Sequence, residues 1–397
     1  MRRLTLTEGD PARAVELSSA EAEALGLAEL AVVTRTPGST DWLVAAGTKV
    51  GVARVGELQV AIRPKIAIDR LVFLMGYAAK PTFWRNHSVL LDTESDLPEA
   101  LAHAFTRLAS KATEPGLLQG YKTIEESLAV VRGRIRVRDQ ISRRFGVGLP
   151  LEVTYDDFTV DIPENQILLA ATTRLLRMPG ISTSVRKSLQ RLRLQMTGVS
   201  VVGRGEMLPT WVPSRLNARY EAPLRLAELI LAGNSFEQRA GEIAVSGFVF
   251  DMWKIYEDFV SIALREALTS YGGSVSLQHR MHLDDARQVE MRPDFLWTGR
   301  DGHRIVVDAK YKAEKPAGFP QADLYQLLAY CTVLGLADGH LIYAKGNEAA
   351  VAHSIQGAGV TVHCHTLDLN QPSDLLLDQV GRLAAVLAPS GVERITG

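Results

Sequence analysis

Alternating apolar and polar positions, broken by turn signals, run through the first 66 residues of the chain. Three short stretches have the composition of β-strands, at residues 30–34, 42–44 and 58–62. Residues 69–79 and 97–112 then carry apolar side chains at helical spacing. The pattern predicts a small β-rich module followed by two helices.

The middle of the chain is predicted to be mainly helical. Residues 165–177 and 185–194 have the period of amphipathic helices, and residues 200–213 contain the Gly and Pro typical of a loop. Arginine alternates with apolar residues over 131–138, which predicts a strand with one cationic face. A domain boundary is expected between about residues 200 and 245.

The pattern changes from residue 246 onward. We predict a long amphipathic helix at 248–269, a second helix at 321–334 and a terminal helix at 374–387. Strands are predicted at residues 276–283, 291–297, 304–310, 340–344 and 360–365. The tetrapeptide Gly299-Arg300-Asp301-Gly302 is a hairpin signal between two of these strands. This order describes a mixed sheet flanked by helices.

Length and composition agree with a multidomain α+β protein. The 397 residues are too many for one core, and 46% hydrophobic with 22% charged residues is ordinary for a globular chain. We expect three parts, at residues 1–120, 121–240 and 241–397. No apolar stretch is long enough to cross a bilayer and no export signal is present, so we expect a cytoplasmic protein with no membrane partner.

Charge and cysteine content narrow the chemistry only slightly. The net charge is −1, yet residues 171–225 hold ten basic against two acidic residues, either as a solvated helix face or as a phosphate-contacting surface. The two cysteines, Cys331 and Cys364, exclude zinc sites of the finger type. The string His363-Cys364-His365 lies on an alternating run, and we interpret it as a structural strand.

The candidate chemistry lies on the predicted hairpin. A tight turn places Asp294 and Asp308 at neighbouring strand positions near one edge. Two converging carboxylates suit Mg²⁺, which keeps several waters and supports phosphodiester hydrolysis. Lys310 shares a face with Asp308, so its ammonium can hold the attacking water and stabilise charge on the phosphate. Ala309 can offer its carbonyl oxygen to the metal.

Two helices add further candidates. Gln326 and Tyr330 are four residues apart on the helix after the hairpin, where they can hydrogen-bond and stack against nucleic acid. An ordinary amphipathic helix explains the same pair. Glu257 lies on the helix before the sheet, where surface exposure accounts for it as well as a metal-binding role does.

The motifs, in this order, resemble a known group of nucleases. Pro293-Asp294, Asp308-Ala309-Lys310 and the stretch from Gln326 to Tyr330 resemble the PD-(D/E)XK nuclease superfamily with its QxxxY element. Upstream segments resemble the McrC family, the nuclease subunits of McrBC modification-dependent restriction systems; these segments are residues 60–66, 131–135 and 155–157, with Asn165 and Leu168.

The resemblance implies a DNA endonuclease that depends on Mg²⁺ or Mn²⁺. Its catalytic residues would be Asp294, Asp308 and Lys310. The implied metal ligands are Asp294, Asp308, the Ala309 carbonyl and Glu257, and the implied DNA-binding residues are Gln326 and Tyr330. Residues 241–397 would then be the PD-(D/E)XK endonuclease domain.

The resemblance also implies a partner. Residues 1–120 would bind a McrB-like AAA+ GTPase ring, and residues 121–240 would be a basic middle region with linker helices. Because the partner's own domain recognises methylated cytosine in such systems, the expected substrate is methylated double-stranded DNA.

The absence of a nucleotide site in the sequence agrees with this division of labour. No GxxxxGK[ST] phosphate-binding loop occurs, and Gly47-Thr48-Lys49 is the nearest string. We therefore expect that this chain binds no nucleotide itself.

Two other interpretations of the sequence stay open. One is a non-catalytic adaptor. Loss of a carboxylate or of the lysine would indicate an adaptor, but Asp294, Asp308 and Lys310 are all present. The other is a stand-alone repair or recombination nuclease whose N-terminal 200 residues bind DNA themselves.

Overall fold

Residues 1–100 and 233–397 fold together as one unit, and residues 101–232 form a second. The computed structural model describes residues 2–36, 38–87, 96–145, 148–203, 206–240, 243–311, 321–344 and 351–388. The domain boundaries expected near residues 120 and 240 divide the chain differently. The reason is that strands from both ends of the chain share a sheet.

The N-terminal part begins with a β-rich region and ends in helices, as its pattern predicts. Its elements are β1 (Arg2–Thr7), β2 (Arg13–Val15), α1 (Ser19–Leu27), β3 (Ala31–Arg35), β4 (Trp42–Ala46), β5 (Lys49–Val55), β6 (Leu58–Arg63), α2 (Ile68–Ala79), α3 (Pro81–Trp84) and α4 (Leu97–Thr113). Helix α1 starts at a capping box, in which the Ser18 hydroxyl accepts from the Glu21 N–H and the Glu21 side chain accepts from the Ser18 N–H. The boundary between the two units falls inside α4.

The second unit combines a small sheet with helices. Its elements after α4 are β7 (Gly120–Leu128), β8 (Arg134–Ile135), α5 (Val137–Arg144), β9 (Leu151–Thr159), α6 (Pro163–Arg177), α7 (Thr183–Gln195) and α8 (Ala218–Ala232). The strand predicted over 131–138 is wrong, because only two of its residues pair and a helix begins at Val137. Gly133 has φ +70°, and a Cβ there would lie 2.4 Å from the carbonyl oxygen of Thr154, so the chain turns sharply at this residue.

The C-terminal part returns to the first unit. Its elements are β10 (Asn234–Ala240), β11 (Ile243–Asp251), α9 (Met252–Leu268), β12 (Ser274–Leu277), β13 (Met281–His282), β14 (Glu290–Met291), β15 (Phe295–Thr298), β16 (Arg304–Lys310), α10 (Gln321–Leu334), β17 (Asp338–Ala344), β18 (Val351–Ile355), β19 (Val360–Leu367) and α11 (Ser373–Leu387). The helix predicted from residue 248 begins only at Met252. Residues 248–251 continue β11, where Phe248 pairs with Val52 of β5.

Strand β11 joins the two ends of the chain. Among the described residues, one sheet has the order β1-β6-β5-β11-β10, and β11 runs antiparallel to β5. The two strands approach closely at Gly51, which has φ +135° and leaves no room for a side chain, since a Cβ would lie 2.2 Å from the Phe248 carbonyl oxygen. The first hundred residues are therefore part of the same fold as the catalytic candidates.

A second, mixed sheet carries those candidates. Its described strands have the order β12-β15-β16-β17-β19-β18, and β16, β17 and β19 are parallel. Side chains of this sheet and of α10 form one core, which includes Val306, Leu327, Leu341 and Cys364. The predicted mixed sheet flanked by helices is confirmed. In the part of the chain that the structure describes, no helix has the length and apolar character that a membrane crossing requires.

Candidate active site

The hairpin of β15 and β16 brings the two predicted aspartates together. Phe295 pairs with Val307 in the antiparallel ladder, so Asp294, directly before β15, lies opposite Asp308. The backbone N–H of Ala309 donates a 2.8 Å hydrogen bond to Oδ2 of Asp294. Asp294 is 8% exposed and Asp308 only 1%. The structure thus places two buried carboxylates side by side at the end of the hairpin.

Lys310 lies on the same face, as its position two residues after Asp308 predicts. Its ammonium forms an ion pair with the Asp308 carboxylate and donates a 2.9 Å hydrogen bond to Oε1 of Gln326. The lysine side chain is 20% exposed. The partly exposed Lys310 ammonium is therefore held in place between the buried Asp308 carboxylate and Gln326.

Helix α10 supplies the partner of this lysine. The Gln326 amide nitrogen donates to the Tyr330 hydroxyl at 2.7 Å, and that hydroxyl donates to the Arg292 carbonyl oxygen at 3.2 Å. Gln326 is exposed, whereas Tyr330 is 2% exposed and its ring belongs to the core. A buried ring has no free face on which a base can stack, so the geometry gives Tyr330 the task of holding Gln326. DNA binding by this pair stays a prediction.

Helix α9 brings a third acidic residue, Glu257, which is 9% exposed and not a surface residue. It connects to Asp294 through Gln278, a residue that no sequence motif indicated. The Gln278 amide nitrogen donates to Oε1 of Glu257 at 2.6 Å and to Oδ1 of Asp294 at 2.9 Å. Lys254, one turn earlier on α9, also donates to Glu257 at 3.2 Å.

Three carboxyl groups of the site have a raised pKa, and burial is the main cause in Asp294, Asp308 and Glu257 alike. The charges of Asp308 and Glu257 raise the pKa of Asp294 further. Burial lowers the pKa of Lys310, but the Asp308 carboxylate outweighs it and the pKa is raised overall. The site is therefore short of positive charge when its carboxylates are ionised.

This shortage fits a hard divalent cation. Within the described residues, no group of three or more His, Cys, Asp or Glu side chains is arranged to hold a metal ion. Asp294 and Asp308, which lie side by side, would hold the ion, with waters completing its shell, which Mg²⁺ readily accepts. The Ala309 carbonyl and Glu257 as ligands stay predictions, and Glu257 reaches Asp294 only through the Gln278 amide.

Replacing Tyr330 by phenylalanine tests the support of Gln326. The change removes a hydroxyl worth about 0.5–1.5 kcal/mol of hydrogen bonding, so cleavage should fall roughly 3- to 10-fold while Mn²⁺ affinity stays unchanged. Cleavage rates and Mn²⁺ titrations of the full chain measure both. Tyr325→Phe is the matched control, because Tyr325 lies on the same helix and is 67% exposed. A loss of Mn²⁺ affinity equal to the loss of cleavage would contradict this assignment.

The histidines of β17 and β19 form a separate cluster. The rings of His340, His363 and His365 stack, and Nδ1 of His340 lies 3.1 Å from Nε2 of His365. Burial lowers the pKa of His340 to about 3 and of His365 to about 4, so both rings are neutral at pH 7. Cys364 belongs to the core. The interpretation of residues 363–365 as a strand is confirmed.

The basic block of residues 171–225 divides into two groups. Some of its arginines bind within the second unit: Arg174 donates to the Leu231 carbonyl, Arg186 to the Met178 carbonyl and Arg225 to Glu228. Lys187, Arg191 and Arg193 are exposed on α7. A role of this exposed group in phosphate binding stays a prediction.

Comparison with known proteins identifies the family. The family model of the McrBC 5-methylcytosine restriction system component matches residues 44–344. The chain belongs to this family. The matched range of this McrBC family chain includes Glu257, Asp294, Asp308 and Lys310, as well as the Gln326–Tyr330 pair.

A solved structure with a TM-score of 0.58 supports the fold of this McrBC family member. One similar chain is in the refined half-complex from a tetradecameric assembly of Thermococcus gammatolerans McrB AAA+ hexamers with bound McrC. It has a TM-score of 0.58 and 17% identity over 97% of this chain and 100% of that chain. A chain of the cryo-EM structure of the Thermococcus gammatolerans McrBC complex has a TM-score of 0.40 and 19% identity over 68% and 90%. No curated protein sequence matches.

Proposed function

We propose that this chain is the Mg²⁺-dependent DNA endonuclease subunit of a McrBC-type, modification-dependent restriction complex. The observation that carries the proposal is the buried pair of Asp294 and Asp308, with Lys310 bound to one of them and to Gln326. Membership in a restriction-system family supports a nuclease over the other classes of metal-dependent hydrolase. The arrangement also has the composition of a PD-(D/E)XK site.

The chain's own residues have distinct tasks in hydrolysis. Asp294 and Asp308 would hold the ion, and a bound Mg²⁺ would supply Lewis acidity and lower the pKa of a coordinated water. Lys310 is held between Asp308 and Gln326, so its ammonium can bind the attacking water or a phosphate oxygen without reorganising. Gln326 keeps that ammonium in place, and Tyr330 in turn keeps Gln326 in place.

The partner in this proposal is a McrB-like AAA+ GTPase ring that the chain binds and stimulates. The similar chain belongs to an assembly of McrB AAA+ hexamers with bound McrC, which supports an equivalent assembly here. The lack of a phosphate-binding loop in the sequence agrees with a division in which the partner hydrolyses GTP. Recognition of methylated DNA would then belong to the partner.

Cleavage assays with the purified chain test this function directly. We expect cutting of methylated double-stranded DNA in Mg²⁺ or Mn²⁺ only when a co-encoded AAA+ GTPase and GTP are present. Cutting should be weak in Ca²⁺, whose looser and larger coordination shell activates water less well. The chain alone should neither bind nor hydrolyse GTP, and adding it should raise the GTPase rate of the partner.

Two outcomes would count against the proposal. Full cleavage in excess EDTA would remove the metal mechanism. Equal cleavage with and without the partner would favour a stand-alone nuclease.

A further inference from the structure

We propose that Gln278 is the positioning residue of the metal site, the one that sets the orientation of Asp294 and Glu257 for a divalent cation. The inference rests on the proposed function, because it assigns a task within that site. Gln278 touches no reacting atom in this assignment and acts through the two carboxylates.

The contacts of Gln278 concentrate on Asp294. Its backbone N–H donates to the Asp294 carbonyl oxygen at 3.1 Å, and its amide nitrogen donates to Oδ1 of the same residue at 2.9 Å. The register of β12 explains this proximity, since Leu277 pairs with Phe295 and the next residue lies opposite Asp294. The backbone and the side chain of Gln278 thus both hold Asp294.

The side-chain amide also joins this aspartate to helix α9. An amide nitrogen has two N–H groups, and here they serve two carboxylates, Oε1 of Glu257 at 2.6 Å and Oδ1 of Asp294 at 2.9 Å. The remaining oxygen of Asp294 accepts from the Ala309 N–H. Both oxygens of Asp294 are therefore fixed by donors, and each retains a lone pair for another partner.

Charge explains why a neutral donor suits this position. Glu257 and Asp294 are both nearly buried, and two like charges at close range repel one another strongly. A lysine or arginine would join them but would bring its own charge and compete with a metal ion. The glutamine amide holds the two carboxylates together without adding a positive charge to those that Lys254 and Lys310 already bring to the site.

The backbone of Gln278 is a second, independent sign of a constrained position. Its φ is +50°, in the left-handed region that residues other than Gly, Asn and Asp seldom adopt. A turn alone would be served better by glycine, which has no such penalty. The presence of glutamine in this unfavourable conformation therefore indicates that its side chain is needed at the position. Backbone strain of this kind concentrates at functional sites.

Gln278→Gly separates the side chain from the turn. Glycine favours the same backbone conformation, so the fold should persist, whereas the bridge between Glu257 and Asp294 is lost. We expect Mn²⁺ affinity of the full chain, measured by titration calorimetry, to weaken about 10- to 100-fold, as for other residues that orient metal ligands. The Mg²⁺ concentration that half-saturates cleavage should rise by the same factor, with a smaller change in the rate at saturating Mg²⁺.

Two further variants make the test specific. Arg287→Gly is the matched control, because Arg287 also has a positive φ of 56° and is exposed, so relief of backbone strain alone should leave Mn²⁺ affinity unchanged. Gln278→Asn keeps an amide and suits the left-handed region, but it is one methylene shorter and should restore the affinity only in part. It also serves as the working variant if the glycine protein melts early.

The outcomes distinguish this inference from the proposed function. If Gln278→Gly and Gln278→Asn both bind Mn²⁺ as tightly as the natural chain while Asp308→Ala does not, the positioning role is wrong and the metal site stands. If Asp308→Ala also binds Mn²⁺ normally, the metal site itself is wrong. Weakened binding in Arg287→Gly equal to that in Gln278→Gly would assign the effect to the backbone and overturn the positioning role.

Discussion

Asp308→Ala is expected to lower DNA cleavage at least about a hundredfold, because it removes a carboxylate that would hold the metal in the proposed site and the ion-pair partner of Lys310. Asp294→Ala should have a similar effect, since Asp294 is the opposite half of the buried pair. Lys310→Ala should lower the rate as strongly while leaving Mn²⁺ affinity closer to normal, because the lysine is not a ligand. Single-turnover cleavage with the GTPase partner measures all three.

The control for these variants is an exposed aspartate elsewhere in the same unit. Asp378 on α11 is exposed, so Asp378→Ala should cleave at the normal rate. Each variant should melt within a few degrees of the natural chain and still bind the partner, because the site lies at the end of a hairpin whose apolar core is untouched. Normal cleavage by Asp308→Ala would refute the assignment of the site.

Separating the N-terminal hundred residues from residues 241–397 should unfold the C-terminal part, which holds Asp294 and Asp308. In a fragment of residues 241–397, β11 loses β5, and the nearly buried Val245, Phe248 and Val249 lose that cover. Each such side chain is worth about 1.5–3 kcal/mol when buried, so several together approach the 5–15 kcal/mol that holds a typical domain folded. The fragment also loses Glu8, which accepts a 2.8 Å hydrogen bond from Tyr311, the residue after Lys310.

Circular dichroism, thermal melting and size-exclusion chromatography of the fragment measure this effect. We expect an aggregated protein or one without a cooperative transition, and co-expression with residues 1–232 should restore solubility.

Substitution of two glycines tests the pairing of β5 with β11 within the full chain. Gly51→Ala should destabilise strongly, because its Cβ meets the Phe248 carbonyl, whereas Gly26→Ala in α1 has open space and should be neutral or stabilising. A cooperative, monomeric fragment 241–397 would contradict the shared sheet.

Local sequence signals predicted the β15–β16 hairpin and α10 well. The apolar run Ile305–Val307 and the turn at residues 299–302 specify neighbouring strands, so the meeting of Asp294 with Asp308 follows from register alone. The helix of Gln326 and Tyr330 has the predicted bounds of residues 321–334. Burial of the Tyr330 ring was not predictable, because a tyrosine on an amphipathic helix suits core and surface alike.

Other features depend on contacts that no local pattern encodes. Residues 248–251 are apolar enough for a helix or a strand, and the pairing with β5 decides between them. The sheet that joins both ends of the chain pairs Val55 with Val245, and nothing near either residue indicates the other. Gln278 belongs to no motif; its backbone conformation and its contacts with two carboxylates reveal it only in three dimensions.

The insertion of residues 101–232 into the first unit has a consequence for synthesis on the ribosome. Strand β5 emerges about 190 residues before its partner β11, an interval of roughly 10–40 s at typical elongation rates. During that interval one edge of β5 has no partner and is open to pairing with other chains. The second unit is complete by then and can fold first. The region that holds Asp294 and Asp308 follows only when the two ends of its unit are both available.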